Sequence, residues 1–259
     1  MSTDISWAGL VGSLVLIAVA IALSMWQRLQ LERSIAWASA RALVQLLLVG
    51  LALRFVLDPD RSLAWAWGWV LLMIAFASLT VARRAREVPS VLPLAIAAFG
   101  AAAVVSLGVL FGFGVFPLEA RALIPMAGLM VGNSMSATVL VARRVFEELR
   151  DKRDEVEARL ALGAASADAA RPYVRAALRT ALIPQIETTK AVGLVFLPGA
   201  MTGLILAGVD PLDAVRIQAA VMYLVLGSVA TTTAVVALGV SRRLFTADHR
   251  LVRISRPAE

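Results

Sequence analysis

Seven long stretches of apolar residues constrain the fold of this chain more than any other feature. A helix rises about 1.5 Å per residue, so roughly 20 apolar residues cross the hydrocarbon core of a bilayer, which is about 30 Å thick. Six stretches carry no charged side chain, and a seventh carries only Arg41 and Arg54. The predicted spans are 7–26, 35–57, 63–81, 91–116, 122–142, 191–209 and 217–240. The pattern predicts an all-α polytopic membrane protein with seven transmembrane helices.

The composition supports a single membrane domain over residues 1–259. Hydrophobic residues make up 60% of the chain and charged residues 17%, whereas a soluble domain is about half apolar. The formal charge is +7, but the basic residues lie between the apolar stretches and not on one basic face. We therefore expect no nucleic-acid partner. The chain has no cysteine, which excludes disulfides and thiolate metal sites.

The lysine and arginine residues give the spans a direction. When the connections are assigned alternately to two sides, 21 basic residues fall on one side and 4 on the other. Every connection on the poor side also carries an acidic residue. Because short cytoplasmic loops are enriched in lysine and arginine, the rich side is predicted to be cytoplasmic. This places the N-terminus outside and the C-terminus in the cytoplasm.

The one large polar connection, 143–190, is predicted to be a cytoplasmic helical hairpin between the fifth and sixth spans. Residues 145–162 continue the fifth span as a helix with one apolar stripe and mixed charge elsewhere. Gly163 ends this helix, and Ser166 is placed to cap a second short helix, with Pro172 after it. On pattern alone, a solvated connection between spans fits equally well.

The sequence of this hairpin is similar to a known motif. The Glu-Ala-Ala…Gly coupling motif of ABC transporter permeases resembles the run Glu157-Ala158-Arg159-Leu160-Ala161-Leu162-Gly163-Ala164-Ala165-Ser166. In that family the motif forms a helix–turn–helix that sits in a cleft of a separate ATPase subunit. The resemblance implies ATPase contacts at Glu157, Ala158, Gly163, Ala164 and Ser166. Arg159 departs from the motif, which usually has a second alanine there.

Four further runs resemble the FetB family of permeases. They are RALVQ at 41–45, IPMAGLMVGN at 124–133, VGLVFLPGAMTGLI at 192–205 and AGVDP at 207–211. The resemblance implies the membrane subunit of an ABC exporter for iron, another metal or a metal complex, in the bacterial inner membrane. It also implies a homodimer of this chain with two copies of an ATPase subunit that holds ATP and Mg. Plant relatives, linked to aluminium tolerance and nucleotide-sugar transport, leave a nucleotide sugar or another small anionic solute as the alternative cargo.

The chain itself is expected to be a non-catalytic permease subunit that binds no cofactor. It lacks the Gly-x-x-x-x-Gly-Lys-Ser/Thr phosphate loop, so ATP hydrolysis is expected on a partner chain. An ATP-independent transporter or channel is the alternative from a different class. Proton coupling commonly uses a carboxylate within the membrane, and the predicted spans have none.

Polar and thioether side chains within the spans are candidates for lining a translocation path. The candidates are Arg41 and Gln45 on the second span, Met126, Met130 and Asn133 on one face of the fifth, and Met201 on the sixth. Arg41 can instead extend its side chain to the headgroups, and a methionine stripe is also typical of core packing. No buried ligand set identifies a metal, so metal ligands stay unassigned. Recognition of iron near the span ends, at Glu187 or Asp210, is one possibility.

Two prolines and several small residues suggest where the spans bend and pack. Pro125 and Pro198 interrupt glycine-rich spans and are candidate hinges, although a static kink is the default interpretation of such a proline. Glycines recur at four-residue spacing in the fourth, fifth and sixth spans, which lets helices approach closely. Such a ridge forms either packing within the chain or the seam of the expected homodimer.

Overall fold

The structure, a computed structural model, describes residues 7–58, 60–193, 197–246, 248 and 250–252. The described residues form nine helices, and Phe245 and Leu251 form an isolated bridge. The helices are α1 (Trp7–Trp26), α2 (Glu32–Val56), α3 (Leu63–Arg84), α4 (Val91–Gly112), α5 (Ala120–Asp151), α6 (Arg153–Ala161), α7 (Ser166–Ala191), α8 (Gly199–Leu206) and α9 (Pro211–Arg243). The predicted all-α fold is confirmed.

The chain divides into two compact units, 1–62 and 63–259. In the first, α1 and α2 form a hairpin whose turn is closed by side-chain hydrogen bonds. The Ser24 hydroxyl donates to the Glu32 carboxylate at 2.9 Å and accepts the Leu31 N–H at 3.2 Å. These contacts satisfy backbone and carboxylate groups where the chain reverses, so α2 begins at Glu32, three residues before the predicted span.

The second unit is built around α9, which contacts α4, α5 and α7. The start of α9 follows from its sequence, because Asp210 accepts the Leu212 N–H at 2.9 Å and Pro211 occupies the first helical position. Midway along α9, one buried valine face packs against the neighbouring helices. This core comprises Val221, Val225 and Val229, with Met126, Leu129 and Ala137 of α5 and Leu182 of α7 against it.

Five helices are long and apolar enough to cross a membrane within the described residues: α2, α3, α4, α5 and α9. Together with α1, they contain six of the seven predicted spans. The second and fourth of these spans extend beyond the ends of their helices. The fourth predicted span runs past the end of its helix, because α4 stops at Gly112 and Gly114 has a φ of +68°. A π-helical turn at Ala103–Leu107 interrupts α4. The number of crossings and their direction stay predictions.

The predicted sixth span, 191–209, is not one helix. The helix before it ends at Ala191, Gly193 has a φ of +88°, and α8 comprises only Gly199–Leu206. Eight residues extend about 12 Å, too short for a core of about 30 Å. Residues 194–196 of that prediction lie outside the described residues. The 26 residues of α7 instead extend about 39 Å.

The helices of the predicted hairpin also have different bounds. The predicted helix 145–162 breaks at Lys152, which has φ −102° and ψ 27° and separates α5 from α6. The second helix does not end before Pro172; α7 continues through Pro172 and Pro184. Its buried face consists mainly of small side chains that pack closely on α5 and α9, and this contact outweighs the two lost hydrogen bonds. Ala165, not Ser166, occupies the N-cap position.

Gly239 marks a close contact between α9 and α4, since a Cβ at this position would overlap the Leu94 side chain. We expect Gly239→Ala to unfold more easily than Gly227→Ala by about 1 kcal/mol, because overpacking strains the contact. Gly227 lies on the same helix with its nearest atom 4.0 Å away, so the comparison cancels helix propensity. Thermal unfolding in detergent measures the difference, and Leu94→Ala should remove most of it. Equal stability of the two alanine variants would contradict the close approach.

Candidate functional site

The hairpin between α6 and α7 carries the predicted ATPase-coupling residues. We call residues 157–166 the hairpin turn. Its backbone closes through three hydrogen bonds: Leu162 N–H to the Ala158 carbonyl, Gly163 N–H to Leu160, and Ala164 N–H to Arg159, at 2.9–3.1 Å. Gly163 has a φ of +88°, a conformation that side chains with a Cβ rarely adopt. The glycine therefore allows α6 to end within one residue.

The outer surface of the hairpin turn combines an exposed apolar side chain with an ion pair. Leu162 is 89% exposed, the largest exposed fraction of any large hydrophobic residue in the described part of the chain. The Glu157 carboxylate pairs with Arg153 at 2.7 Å and is about half exposed. Ala158 and Gly163 are exposed, and Ala164 and Ser166 are half-buried. All five predicted coupling residues thus lie on one short turn, together with Leu162, which was not among the residues predicted from the motif.

The base of the hairpin is anchored, in contrast to its exposed turn. Val156 is fully buried, and the Tyr173 hydroxyl of α7 donates to the Glu155 carboxylate at 2.9 Å. Lys152 also donates to Glu155, at 2.8 Å. The hydrogen bond from Lys152, followed by that from Tyr173, holds the pKa of the Glu155 carboxyl below its ordinary value. The carboxylate therefore stays ionised and links α6 to α7.

A second anchor connects the hairpin with the C-terminal segment. The Arg153 guanidinium donates to the backbone carbonyls of Leu251 and Val252, each at 3.4 Å. The segment itself folds back on the end of α9, because the Val252 N–H donates to the Leu244 carbonyl at 2.8 Å. Arg153 thus contacts both the turn, through Glu157, and the chain beyond α9.

The geometry of the hairpin turn predicts different effects for two substitutions of Gly163. Gly163→Ala should destabilise the turn by about 1 kcal/mol, because a Cβ disfavours the left-handed region. Gly163→Asn should cost less, since asparagine tolerates this conformation better than other residues with a Cβ. Hydrogen exchange of the amides of 158–166 measures local opening. Equal protection in both variants would mean that the positive φ at position 163 does not determine the stability of the turn.

The predicted path residues of the second unit differ in burial and do not share one exposed surface. Met130 is fully buried and Met126 packs half-buried against the valine face of α9. Asn133 is exposed, and its amide donates to the Leu129 carbonyl of the same helix at 2.8 Å. Arg41 and Gln45 are exposed on α2, in the first unit. Met201 is half-buried on α8.

The two candidate hinges differ in their position relative to the helices. Pro125 lies inside α5, in its second turn, where it removes one backbone hydrogen bond. Pro198 lies outside a helix, because it is the extended residue before α8, with φ −61° and ψ 146°. Pro198 therefore lies before the start of α8 and does not kink a continuous helix. Its role as a hinge stays a prediction.

The exposed face of α7 carries polar residues that the sequence argument assigned to a cytoplasmic loop. Arg179 is exposed and makes no ion pair with a described residue. Further along, Glu187 and Lys190 form an exposed ion pair at 2.9 Å. The Thr188 hydroxyl donates to the Pro184 carbonyl at 2.9 Å. The signal available in the sequence was the recurrence of small residues on the opposite, buried face: Ala170, Ala177 and Ala181.

Buried hydroxyl groups join the helices of the second unit. The Ser134 hydroxyl of α5 donates to Ser228 of α9 at 3.1 Å, and Ser228 donates to the Val225 carbonyl. Ser106, in the π-helical turn of α4, is buried without a hydrogen-bond partner among the described residues. Small polar side chains at helix contacts are typical of membrane bundles. We therefore assign these buried hydroxyl groups to packing between the helices.

A metal centre is not formed by the residues that the structure describes. Among them, no group of three or more histidine, cysteine, aspartate or glutamate side chains lies close enough to hold an ion. Asp210, a predicted recognition residue, instead caps α9. Glu187 is paired with Lys190. The two acidic candidates therefore have structural partners.

Comparisons with known proteins agree with a multi-pass membrane protein. The model of the uncharacterised protein family UPF0014 matches residues 7–245. "UPF0014 membrane protein STAR2" of Oryza sativa subsp. japonica is 39% identical over 218 residues, covering 84% of this chain and 76% of the relative. "Probable iron export permease protein FetB" of Escherichia coli K12 is 31% identical over 255 residues, covering 97% and 96%.

A third relative, "Protein ALUMINUM SENSITIVE 3" of Arabidopsis thaliana, is 34% identical over 216 residues, covering 83% of this chain and 79% of the relative. No solved structure gives a significant match. The predicted resemblance to FetB is confirmed at the level of the family. From the extent of the family match and the coverage of these relatives, this chain belongs to the UPF0014 family.

Proposed function

We propose that this chain is the membrane subunit of an ABC exporter in the bacterial plasma membrane and that the hairpin turn inserts into a separate ATPase subunit. The observation that carries the proposal is Leu162, an 89% exposed apolar side chain on a turn whose base is anchored. An anchored helix–turn–helix with an exposed apolar residue suits a protein contact, because burying it removes apolar surface from water. The similarity of 157–166 to the coupling motif of ABC permeases supports an ATPase subunit as the partner.

The sixth crossing is proposed to be α7 in place of 191–209. Leu182 packs against Val221, Val225 and Val229, near the middle of α9. Residues 183–191 then extend toward the end of α9 that begins at Pro211, the side predicted to be external. Under this assignment the N-terminus stays outside, the C-terminus stays in the cytoplasm, and α8 lies in the outer part of the membrane.

The chain lacks cysteine, so single introduced cysteines test this assignment directly. Lys190→Cys is expected to react with a membrane-impermeant maleimide added outside intact cells, because Lys190 lies at the outer end of α7. Asp168→Cys, at the first turn of the same helix, should react only after the membrane is permeabilised. Protection of both positions in intact cells would return 143–190 to the cytoplasm.

The exposed polar face of α7 is proposed to line the translocation path between two copies of the chain. Arg179 lies one turn from Leu182, close to the middle of the proposed bilayer, and it is exposed in a single chain. An arginine at the bilayer centre costs about 2.5–3.5 kcal/mol, so such residues face protein or water. A homodimer with α7 of each copy at its centre provides both.

The cargo is proposed to be iron in complexed form, as the name of the FetB relative suggests iron export for that protein. Bare iron ions prefer oxygen or nitrogen ligands, and the described residues do not gather three acidic or histidine side chains. A small anionic solute, such as a nucleotide sugar, is the second candidate. It is favoured by the exposed guanidinium of Arg179.

The test is co-purification of this chain with a candidate ABC ATPase subunit, followed by ATPase assays in proteoliposomes. Stimulation by an iron chelate, by ferrous iron or by a nucleotide sugar would identify the cargo. We expect a stable complex and stimulation by one of the complexed or anionic solutes. Transport by the chain alone, without any ATPase, would overturn the proposal in favour of an ATP-independent transporter or channel.

A further inference from the structure

A cavity of about 700 Å³ opens between the start of α7, the end of α9 and the segment that follows it. Its basic lining residues are Arg171, Arg175 and Arg242, and its apolar lining residues include Leu178, Leu238 and Phe245. Among the described residues, no acidic side chain lines it. The volume is in the range of pockets that enclose small ligands. The cavity therefore joins a positively charged wall to an apolar one.

The guanidinium groups of this cavity differ in whether a carboxylate pairs with them. Arg171 pairs with Asp168 at 2.6 Å. Arg175 and Arg242 are exposed and make no ion pair with any residue in the described part of the chain. Ala167, in the first turn of α7, also lines the cavity, and the backbone amides at a helix start add positive potential. The cavity thus presents two unneutralised cations to an anion.

The position of the cavity favours a lipid over a soluble anion as its ligand. Arg242 lies at the end of α9, beside Arg243. The Arg243 guanidinium donates to the carbonyl of Ser90, the residue before α4, at 2.7 Å. Both helix ends are predicted to be cytoplasmic. Leu238, one turn earlier and inside the predicted span 217–240, is 52% exposed. Basic pockets between membrane helices at the cytoplasmic face suit anionic headgroups, and the adjoining leucines suit acyl chains.

We propose that the cavity formed by Arg175, Arg242, Leu238 and Phe245 binds an anionic phospholipid of the cytoplasmic leaflet through its phosphate group. The inference rests on the membrane placement of the proposed function and not on ATPase coupling. Arg175 and Arg242 hold the phosphate, and the apolar wall holds the first part of an acyl chain. Because Ala165 and Ser166 also line the cavity, the bound lipid lies against the end of the hairpin turn.

The experiment measures thermal unfolding of the full chain in detergent with added phosphatidylglycerol, phosphatidylcholine or inorganic phosphate. We expect phosphatidylglycerol alone to stabilise the wild type. The double variant Arg175→Gln/Arg242→Gln should bind it roughly 30-fold more weakly, since each arginine near a membrane surface contributes about 1 kcal/mol. The matched control Arg84→Gln/Arg86→Gln removes the same charge from exposed cytoplasmic arginines outside the cavity and should behave as the wild type.

A third variant, Ala167→Leu, fills part of the cavity without changing its charge at an exposed helical position. It should also weaken phosphatidylglycerol binding. Equal loss in the two arginine double variants would overturn the site, because it would indicate general surface attraction. Equal stabilisation by inorganic phosphate would overturn the lipid assignment. ATPase association is measured in a separate experiment, so the lipid-binding result can be interpreted even if the chain does not bind an ATPase.

Discussion

Leu162→Asp is expected to abolish co-purification of the chain with its ATPase and to stop ATP-driven transport. The leucine is almost fully exposed in the single chain, so docking would bury nearly all of its side chain. Losing that burial costs about 1.5–3 kcal/mol, and an unpaired carboxylate buried in the interface adds about 3 kcal/mol or more. The complex should weaken at least a hundredfold, as measured by pull-down and by ATPase stimulation.

The control for this variant is Leu118→Asp, which makes the same change in an exposed leucine of the connection before α5. That connection is predicted to be external, so the control should retain the ATPase. Because both leucines are exposed in the single chain, neither substitution should alter folding, and gel filtration of each variant checks this. A Leu162→Asp chain that still binds its ATPase normally would remove the hairpin turn from the proposed interface.

Arg179→Glu is expected to reduce transport at least tenfold while leaving ATPase association intact. The substitution reverses the charge at the proposed centre of the path, so an anionic or chelated cargo would meet repulsion where it now meets attraction. A change of about 1.4 kcal/mol in the barrier corresponds to this tenfold loss. Uptake or efflux in proteoliposomes measures the rate, and co-purification measures the association.

The matched control is Arg86→Glu, an exposed arginine in the connection between α3 and α4. It should transport at the wild-type rate. Arg179→Lys keeps the charge and should recover most of the activity, which a purely structural role for the guanidinium would not allow. Unchanged transport in Arg179→Glu would exclude α7 from the path and return attention to the helices of the first unit.

The apolar helices could be predicted from the sequence because length and lack of charge determine them. For example, α3 begins at Leu63, where the predicted span begins, and continues only three residues past its predicted end. The spans contain few polar groups, so nothing competes with the helix as the way to satisfy the backbone. The fold of the hairpin turn was also accessible, because Gly163 marks the reversal of the chain.

The bounds of α7 could not be predicted, since its polar side chains lower its hydropathy below that of a span. Whether Arg179 faces water, lipid or a second chain is a property of the assembly and leaves no mark in one sequence. Pro172 and Pro184 also argued against a continuous helix. The packing of Ala177 and Ala181 against the neighbouring helices overrides that preference. The roles of the predicted path and coupling residues stay predictions.

The continuity of α7 has a mechanical consequence. The helix starts at the hairpin turn and ends about 39 Å away at Ala191, with no loop between the two ends. Such a rod acts as a lever, so a tilt of about 5° at its base displaces the far end by about 3 Å. If α7 is the sixth crossing, as proposed, a movement imposed on the hairpin turn would reach the opposite side of the membrane without passing through a joint.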